Sequence, residues 1–127
     1  MTGSLAFIIE DDTQLNQIFT ITLDKSFSVE AFMDGDSARA RLRESVPDLI
    51  VLDLNLPGAS GSELLKDIHM DPRLTKTRII LATADDRQAE IVRDQADVVM
   101  LKPISPGLLR DLADRLNAPQ RRTGGRN

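Results

Sequence analysis

The sequence contains four short runs of apolar residues, and a polar or charged residue follows each run directly. A strand with apolar side chains at every position suits a sheet that is covered on both faces, as parallel sheets are. We therefore predict buried parallel strands at residues 5–9, 49–52, 79–82 and 98–101. A more mixed segment at residues 27–32 predicts a further strand, at the edge of the sheet.

The segments between these runs have the spacing of amphipathic helices. Leu108, Leu109, Leu112 and Leu116 form the clearest apolar stripe. The pattern predicts helices near residues 13–25, 37–45, 61–70 and 106–117, and a short helix near 85–94. Strand and helix thus alternate five times. Because crossovers between parallel strands are right-handed, this order predicts an α/β fold, a doubly wound open sheet with helices on both faces.

The charge balance limits the classes of partner. The chain has 20 acidic and 16 basic residues, a formal net charge of -4. Its last nine residues hold three of the arginines and no acid, so residues 1–118 carry 13 basic against 20 acidic residues, or -7. Nucleic-acid binding usually needs a clustered basic face, so we expect no direct contact with nucleic acid.

Rare residue types exclude several kinds of chemistry. Cysteine is absent, which excludes disulfides, thiol catalysis and cysteine zinc sites. The single histidine, His69, argues against a serine triad or a multi-histidine metal centre. The apolar runs are too short to cross a bilayer, and no signal-peptide pattern precedes the first. We expect a cytoplasmic protein without a membrane partner.

Chemically capable residues follow the predicted strands. They are Glu10, Asp11, Asp53, Thr83 and Lys102. In an open α/β sheet, ligands bind at the carboxyl ends of the strands, and strand order 2-1-3-4-5 would bring the three carboxylates together. Clustered carboxylates are tolerated when a cation neutralises them, and oxygen ligands favour Mg²⁺ or Mn²⁺. With a lysine and a hydroxyl beside them, they form a pocket for a phosphoryl group, in which Asp53 is the candidate nucleophile.

Four motifs at these strand ends occur in the order of a known family. They read FIIEDD (7–12), PDLIVLDLNLPGASG (47–61), LATAD (81–85) and VVMLKP (98–103). Together they resemble the receiver domain of bacterial two-component response regulators, over residues 5 to about 116. The resemblance implies a flavodoxin-like (βα)5 fold with strand order 2-1-3-4-5. It places the receiver domain at residues 1–117 and leaves residues 118–127 as a flexible basic tail.

The resemblance also implies a magnesium site. Asp11, Asp53 and the backbone carbonyl of Asn55 would ligate Mg²⁺ or Mn²⁺, and Glu10 would act through metal-bound water. Asp12 lies beside this set, and we expect it to cap the first helix or to be solvated.

The phosphoryl chemistry implied by the resemblance assigns the remaining roles. Asp53 would accept a phosphoryl group from a phosphohistidine, either on a sensor histidine kinase or on a phosphotransfer protein. Lys102 would pair with the phosphoryl oxygens, and Thr83 would bond the phosphoryl group and carry the conformational switch. The Lys102–Pro103 peptide is expected to be cis. Such a domain is a phosphoacceptor with self-phosphotransfer and autodephosphorylation only, not an enzyme. Its downstream protein target and its self-association as a homodimer are left open.

Two departures from the family pattern concern signal output. The segment from Thr83 to Lys102 is shorter than usual by about three residues, close to one helical turn. Val99 stands three residues before the lysine, where many receivers have an aromatic residue that moves on activation. Phosphorylation chemistry is expected to be intact, whereas the usual coupling between threonine and aromatic residue is not available.

Three alternatives remain beside the phosphoaccepting receiver. One is a receiver-like interaction module whose output is altered or independent of phosphorylation. Another is an aspartate-nucleophile phosphatase, but Asn55 occupies the position where that chemistry has a second aspartate. The third is a flavodoxin-like cofactor binder, which the acidic residues after the first strand disfavour because they would repel a flavin phosphate.

Overall fold

A computed structural model describes residues 3–118, and in it strands and helices alternate along the chain. The strands are β1 (Leu5–Ile9), β2 (Ser28–Phe32), β3 (Leu49–Asp53), β4 (Arg78–Thr83) and β5 (Val98–Leu101). The helices are α1 (Thr13–Leu23), α2 (Gly35–Leu42), α3 (Gly61–Met70), α4 (Asp86–Val92) and α5 (Pro106–Asn117). Short 3-10 turns follow α3 and α4, at Pro72–Leu74 and Arg93–Gln95.

The strands form one parallel sheet of order β2-β1-β3-β4-β5, which confirms the predicted order and the edge position of β2. The order reverses direction between β1 and β3, since the chain first moves outward to β2 and then crosses back. In register, Ile9 pairs with Leu52, and Asp53 pairs with Ala82. The loops after β1 and β3 therefore leave the sheet side by side.

Apolar side chains on each face of the sheet form a separate core. On one face, Ala6 and Ile8 of β1 pack with Phe19 and Leu23 of α1 and with Leu109 of α5. On the other face, strand residues pack against buried side chains of α2, α3 and α4, among them Ala38, Leu42, Leu64, Leu65, Ile68 and Val92. The helices thus cover both faces, as the continuous apolar runs predict.

Capping residues explain where the helix bounds differ from the predicted ones. Helix α2 begins at Gly35, two residues early, because the Asp34 carboxylate accepts the Ser37 backbone N–H and starts the helix there. It ends at Leu42 rather than near residue 45. Helix α1 ends at Leu23 because Asp24 is its C-terminal cap. The prediction of a short fourth helix is confirmed, since α4 has only 7 residues before the 3-10 turn.

The predicted basic tail, apart from Ala118, lies outside the described residues. Helix α5 ends at Asn117, whose side chain exchanges hydrogen bonds with the Ser4 hydroxyl, so the two ends of the described chain lie together. Among residues 3–118, none of the helices has the length and apolar character needed to cross a lipid bilayer.

Candidate functional site

Three carboxylates converge where β1 and β3 end. One oxygen each of Glu10, Asp11 and Asp53 can be chosen so that all lie within 4.8 Å of one another. Glu10 and Asp53 are only 1% and 4% exposed, whereas Asp11 is exposed. This placement follows from the pairing of β1 with β3, which puts the residues after both strands at one edge of the sheet.

Lys102 extends into this cluster from the end of β5. Its Nζ lies 2.8 Å from Glu10 Oε1 and 3.4 Å from Asp53 Oδ2. Burial alone would lower the pKa of the Lys102 ammonium. The hydrogen bond to Glu10 and the nearby Asp53 carboxylate outweigh burial, and the pKa of Lys102 is raised above its usual value. The lysine therefore stays positively charged, facing both buried acids.

One ammonium group does not balance three carboxylates. Burial raises the pKa of Glu10, and it outweighs the opposing hydrogen bonds from Lys102 and from the Asp12 backbone. The negative charge of Asp53 adds to this rise. An all-oxygen set of partly buried carboxylates with surplus negative charge matches the ligand preference of a hard divalent cation. The residues present therefore fit a magnesium-type ion.

Local hydrogen bonds fix the loop after β1. Glu10 Oε2 accepts the Asp12 backbone N–H at 3.0 Å, and the Asp12 carboxylate accepts the Leu15 backbone N–H, which confirms the expected capping role of Asp12. The buried Asn16 carboxamide donates to the backbone carbonyls of Glu10 and Phe32, at 2.9 and 3.0 Å. Sequence reasoning missed Asn16, because a polar residue inside an amphipathic helix does not by itself reveal which neighbouring loop it contacts.

Close backbone approach fixes the loop after β3. Asp53 Oδ1 accepts the Asn55 backbone N–H at 3.0 Å, which leaves Oδ2 directed towards Lys102. A Cβ on Gly61 would lie 2.4 Å from Leu54 Cα and 2.5 Å from the Asp53 carbonyl oxygen, so only glycine fits at the start of α3. The Asp36 carboxylate supports the same loop by accepting the Ala59 backbone N–H at 3.2 Å.

Thr83 ends β4 as a fully buried residue. Its Oγ1 accepts the Asp85 backbone N–H at 3.1 Å, and its carbonyl accepts the Lys102 backbone N–H at 2.8 Å. The Lys102–Pro103 peptide that follows is cis, as expected. Asp85 caps α4, since its carboxylate accepts the backbone N–H groups of Arg87 and Gln88.

One contact across the site was not foreseen from the sequence. The side-chain amide of Gln88, in the first turn of α4, donates to Asn55 Oδ1 at 3.4 Å. The spacing Asp85-x-x-Gln88 is that of a capping box and marks Gln88 as a first-turn residue, but it does not indicate the contact with Asn55. The structure thus brings together Glu10, Asp11, Asp53 and Lys102. It places Thr83 at the intervening strand end, while the predicted metal role of the Asn55 carbonyl stays a prediction.

Comparison with known proteins gives the family. The model of the response regulator receiver domain matches residues 6–114. The chain belongs to this family. It is a receiver domain of a two-component response regulator, a family whose members are phosphoacceptors rather than classic enzymes, and its acidic cluster fits a receiver-domain metal site.

Similar sequences and structures include longer regulators and a solved chain of nearly the same extent as this receiver. The phosphate regulon transcriptional regulatory protein PhoB of Rhizobium meliloti is 36% identical over 102 residues, covering 77% of this chain and 45% of PhoB. PhoB of Pseudomonas aeruginosa is 32% identical over 128 residues, covering 98% and 55%. This chain therefore spans about half the length of these relatives. Among solved structures, the chemotaxis response regulator CheY4 of Vibrio cholerae aligns with a TM-score of 0.82 at 25% identity, covering 91% of this receiver and 99% of CheY4.

Proposed function

We propose that this receiver accepts a phosphoryl group on Asp53 from a phosphohistidine of a sensor histidine kinase or a phosphotransfer protein. The observation that carries the proposal is the convergence of the Glu10, Asp11 and Asp53 carboxylates with the Lys102 ammonium at one edge of the sheet. Such a cluster is unfavourable for folding alone, because gathering and burying like charges costs free energy unless a cation or a charged ligand compensates.

Asp11, Asp53 and the backbone carbonyl of Asn55 would hold Mg²⁺ or Mn²⁺, with Glu10 acting through a bound water. When bound, the ion supplies positive charge that balances the oxygens of the transferred phosphoryl group. Glu10 also holds Lys102, through the 2.8 Å contact, at the position where it can turn to an incoming anion.

In the proposed transfer, a carboxylate oxygen of Asp53 forms a bond to phosphorus while the phosphorus–nitrogen bond of the phosphohistidine breaks. The electron pair of that bond remains on the imidazole nitrogen, so the products are an aspartyl phosphate and a free histidine. Lys102 pairs with one phosphoryl oxygen, and the Thr83 hydroxyl donates to another. The Asn55 backbone N–H holds Asp53 Oδ1 and so orients the carboxylate for attack.

Phosphorylation would then change which protein the receiver binds. The change would act on contact with a downstream protein or with a second copy of the chain, and we place the receiver in the cytoplasm. A second candidate is an interaction module with altered output, and the short α4 together with the half-buried Val99 favours it. In that case the receiver would bind its partner without phosphorylation, or phosphorylation would change that binding by a route other than the usual threonine–aromatic coupling.

Intact-mass measurement tests the proposal. Incubation of the full chain with acetyl phosphate and Mg²⁺ should add one phosphoryl group, because Asp53 is the predicted acceptor. Asp53→Asn should abolish the adduct. Asp114→Asn, a matched change at an exposed position of α5, should leave the adduct unchanged. Absence of an adduct on the unmodified chain, or its persistence in Asp53→Asn, would contradict the proposed function.

A further inference from the structure

Among residues 3–118, two helices begin at capping-box sequences, and one of these two boxes is complete. At α3, the Ser60 hydroxyl accepts the Glu63 backbone N–H, and the Glu63 carboxylate accepts the Ser60 backbone N–H at 2.8 Å. At α4, the Asp85 carboxylate accepts the Gln88 backbone N–H at 3.2 Å, which is the first half of the same arrangement. The second half would be a contact from the Gln88 side chain to the Asp85 backbone N–H.

That second contact is replaced by two others. The Asp85 backbone N–H is donated to Thr83 Oγ1 at 3.1 Å, and the Gln88 side chain turns away to donate its amide to Asn55 Oδ1 at 3.4 Å. Gln88 Oε1 is buried and has no hydrogen-bond partner within the part of the chain that the structure describes. A buried acceptor without a donor costs free energy, so a side-chain conformation that gives Gln88 Oε1 a donor is favoured.

We propose that Gln88 is a positioning residue that exchanges partners when Asp53 is phosphorylated. In the unmodified chain it holds the Asn55 side chain. When the Thr83 hydroxyl turns to the phosphoryl group, the Asp85 N–H loses its acceptor, and Gln88 Oε1 takes that N–H and completes the capping box of α4. The inference rests on the proposed phosphorylation of Asp53 and on the proposed role of Thr83.

The exchange is favoured because both groups in the new contact, Gln88 Oε1 and the Asp85 backbone N–H, gain a hydrogen-bond partner. The contact that breaks is a long one, 3.4 Å between Gln88 Nε2 and Asn55 Oδ1. The contact that forms gives a partner to an unpartnered acceptor and to a helix-start N–H that would otherwise be left without one. Asn55 lies two residues after Asp53, so its release changes the loop at the phosphoryl group while the first turn of α4 reorganises.

The device does not need an aromatic side chain at Val99. Hydrogen bonds connect Thr83 to Asp85 and Asp85 to Gln88. The Gln88 side chain then reaches Asn55 in the loop after β3. A signal can therefore pass from the phosphoryl site to the shortened α4 in a chain that has no tyrosine or tryptophan.

Hydrogen exchange of the Asp85 backbone amide tests this inference, measured by NMR on the full chain with and without acetyl phosphate and Mg²⁺. In the parent sequence the Asp85 amide should be protected in both states, because Thr83 accepts it before phosphorylation and Gln88 accepts it afterwards. In Gln88→Ala it should exchange about fivefold faster in the phosphorylated state only, the effect of one lost hydrogen bond. Gln88→Glu retains the acceptor and should stay protected in both states, although it loses the donor to Asn55.

The controls separate misfolding and failed phosphorylation from failure of the inference. Gln14→Ala, at an exposed first-turn position of α1, should leave Asp85 exchange unchanged in both states. Unphosphorylated Gln88→Ala should match the parent chain at Asp85, which also reports that it folds. If intact mass shows one phosphoryl group on Gln88→Ala and Asp85 remains as protected as in the parent, the inference is overturned. If the parent chain takes up no phosphoryl group, the proposed function fails first and the exchange of partners fails with it.

Discussion

The site edge and the α4 region are built differently. The site edge comprises the loops after β1 and β3, residues 10–12 and 53–61, and the α4 region comprises residues 84–97. At the site edge, buried carboxylates, backbone N–H groups and a glycine lie in close contact. In the α4 region, a helix of 7 residues buries Ala89 and Val92 but leaves Ile91 79% exposed.

The difference suits two tasks: the site edge holds the geometry of the reaction, and the α4 region responds to it. Elements with many buried contacts open only at a free energy near that of global unfolding, whereas elements with few buried contacts open at lower cost. The site edge has the density expected of a fixed binding geometry. The α4 region has the looser packing expected of an element that moves, and the following changes test that contrast.

Truncation of a core side chain should show the largest contrast. Leu54 is 2% exposed and lies directly after Asp53 in the site edge, so Leu54→Ala should lower the free energy of unfolding by about 3 kcal/mol through lost burial and a cavity. Ile91→Ala should change it by less than about 0.5 kcal/mol, because that side chain is already in water. Urea denaturation of both variants gives the comparison. Similar losses in the two variants would contradict the proposed difference in packing.

Adding a methyl group should have the next largest effect. Gly61→Ala places a Cβ against Leu54 Cα and the Asp53 carbonyl, so the backbone beside the phosphoacceptor must shift, at a cost of about 2 kcal/mol. Gly107→Ala, in the first turn of α5, meets nothing closer than Ser105 Oγ at 3.9 Å. It should stabilise the chain by about 0.5 kcal/mol through helix propensity. Thermal unfolding distinguishes the two signs, and a Gly61→Ala variant as stable as the parent chain would mean that the loop after β3 is not tightly held.

Divalent cation should stabilise the site edge by a smaller amount. At ten times its dissociation constant, Mg²⁺ should raise the free energy of unfolding by about 1.4 kcal/mol relative to chelator, since the folded chain alone presents the clustered carboxylates. Asp11→Asn should reduce this increment. Asp94→Asn makes the same charge change in the 3-10 turn after α4 and should retain it. An increment that is equal in both variants would place the ion away from Glu10, Asp11 and Asp53.

Prediction from sequence succeeded where a local pattern has a single physical meaning. The apolar runs identified the strands, and the helical spacing predicted a helix near residues 61–70, where α3 lies. The strand-end acids identified the cluster, because parallel strands place their carboxyl ends at one edge. Helix ends were less accurate: α2 begins at Gly35 through the cap at Asp34, whereas the spacing predicted a helix only from about residue 37.

Partners of polar side chains were the least predictable feature. Nothing local indicates that Asn16 reaches the carbonyls of Glu10 and Phe32, or that Gln88 contacts Asn55 rather than its own helix cap. In each case several acceptors lie within reach in the folded chain, and the choice depends on which other groups already hold them. Thr83, by accepting the Asp85 N–H, is what leaves Gln88 available.

The sequence by itself determined the order of elements, the sheet edge at which the acids gather and the residue types that suit a cation and a phosphoryl group. Those features depend on periodicity, strand direction and charge, which are properties of residues taken in order. Only the tertiary structure decided that Lys102 lies between Glu10 and Asp53, that Gly61 must lack a side chain and that Gln88 joins α4 to the loop after β3. Each of these depends on distances between segments far apart in sequence, which packing of the whole sheet alone establishes.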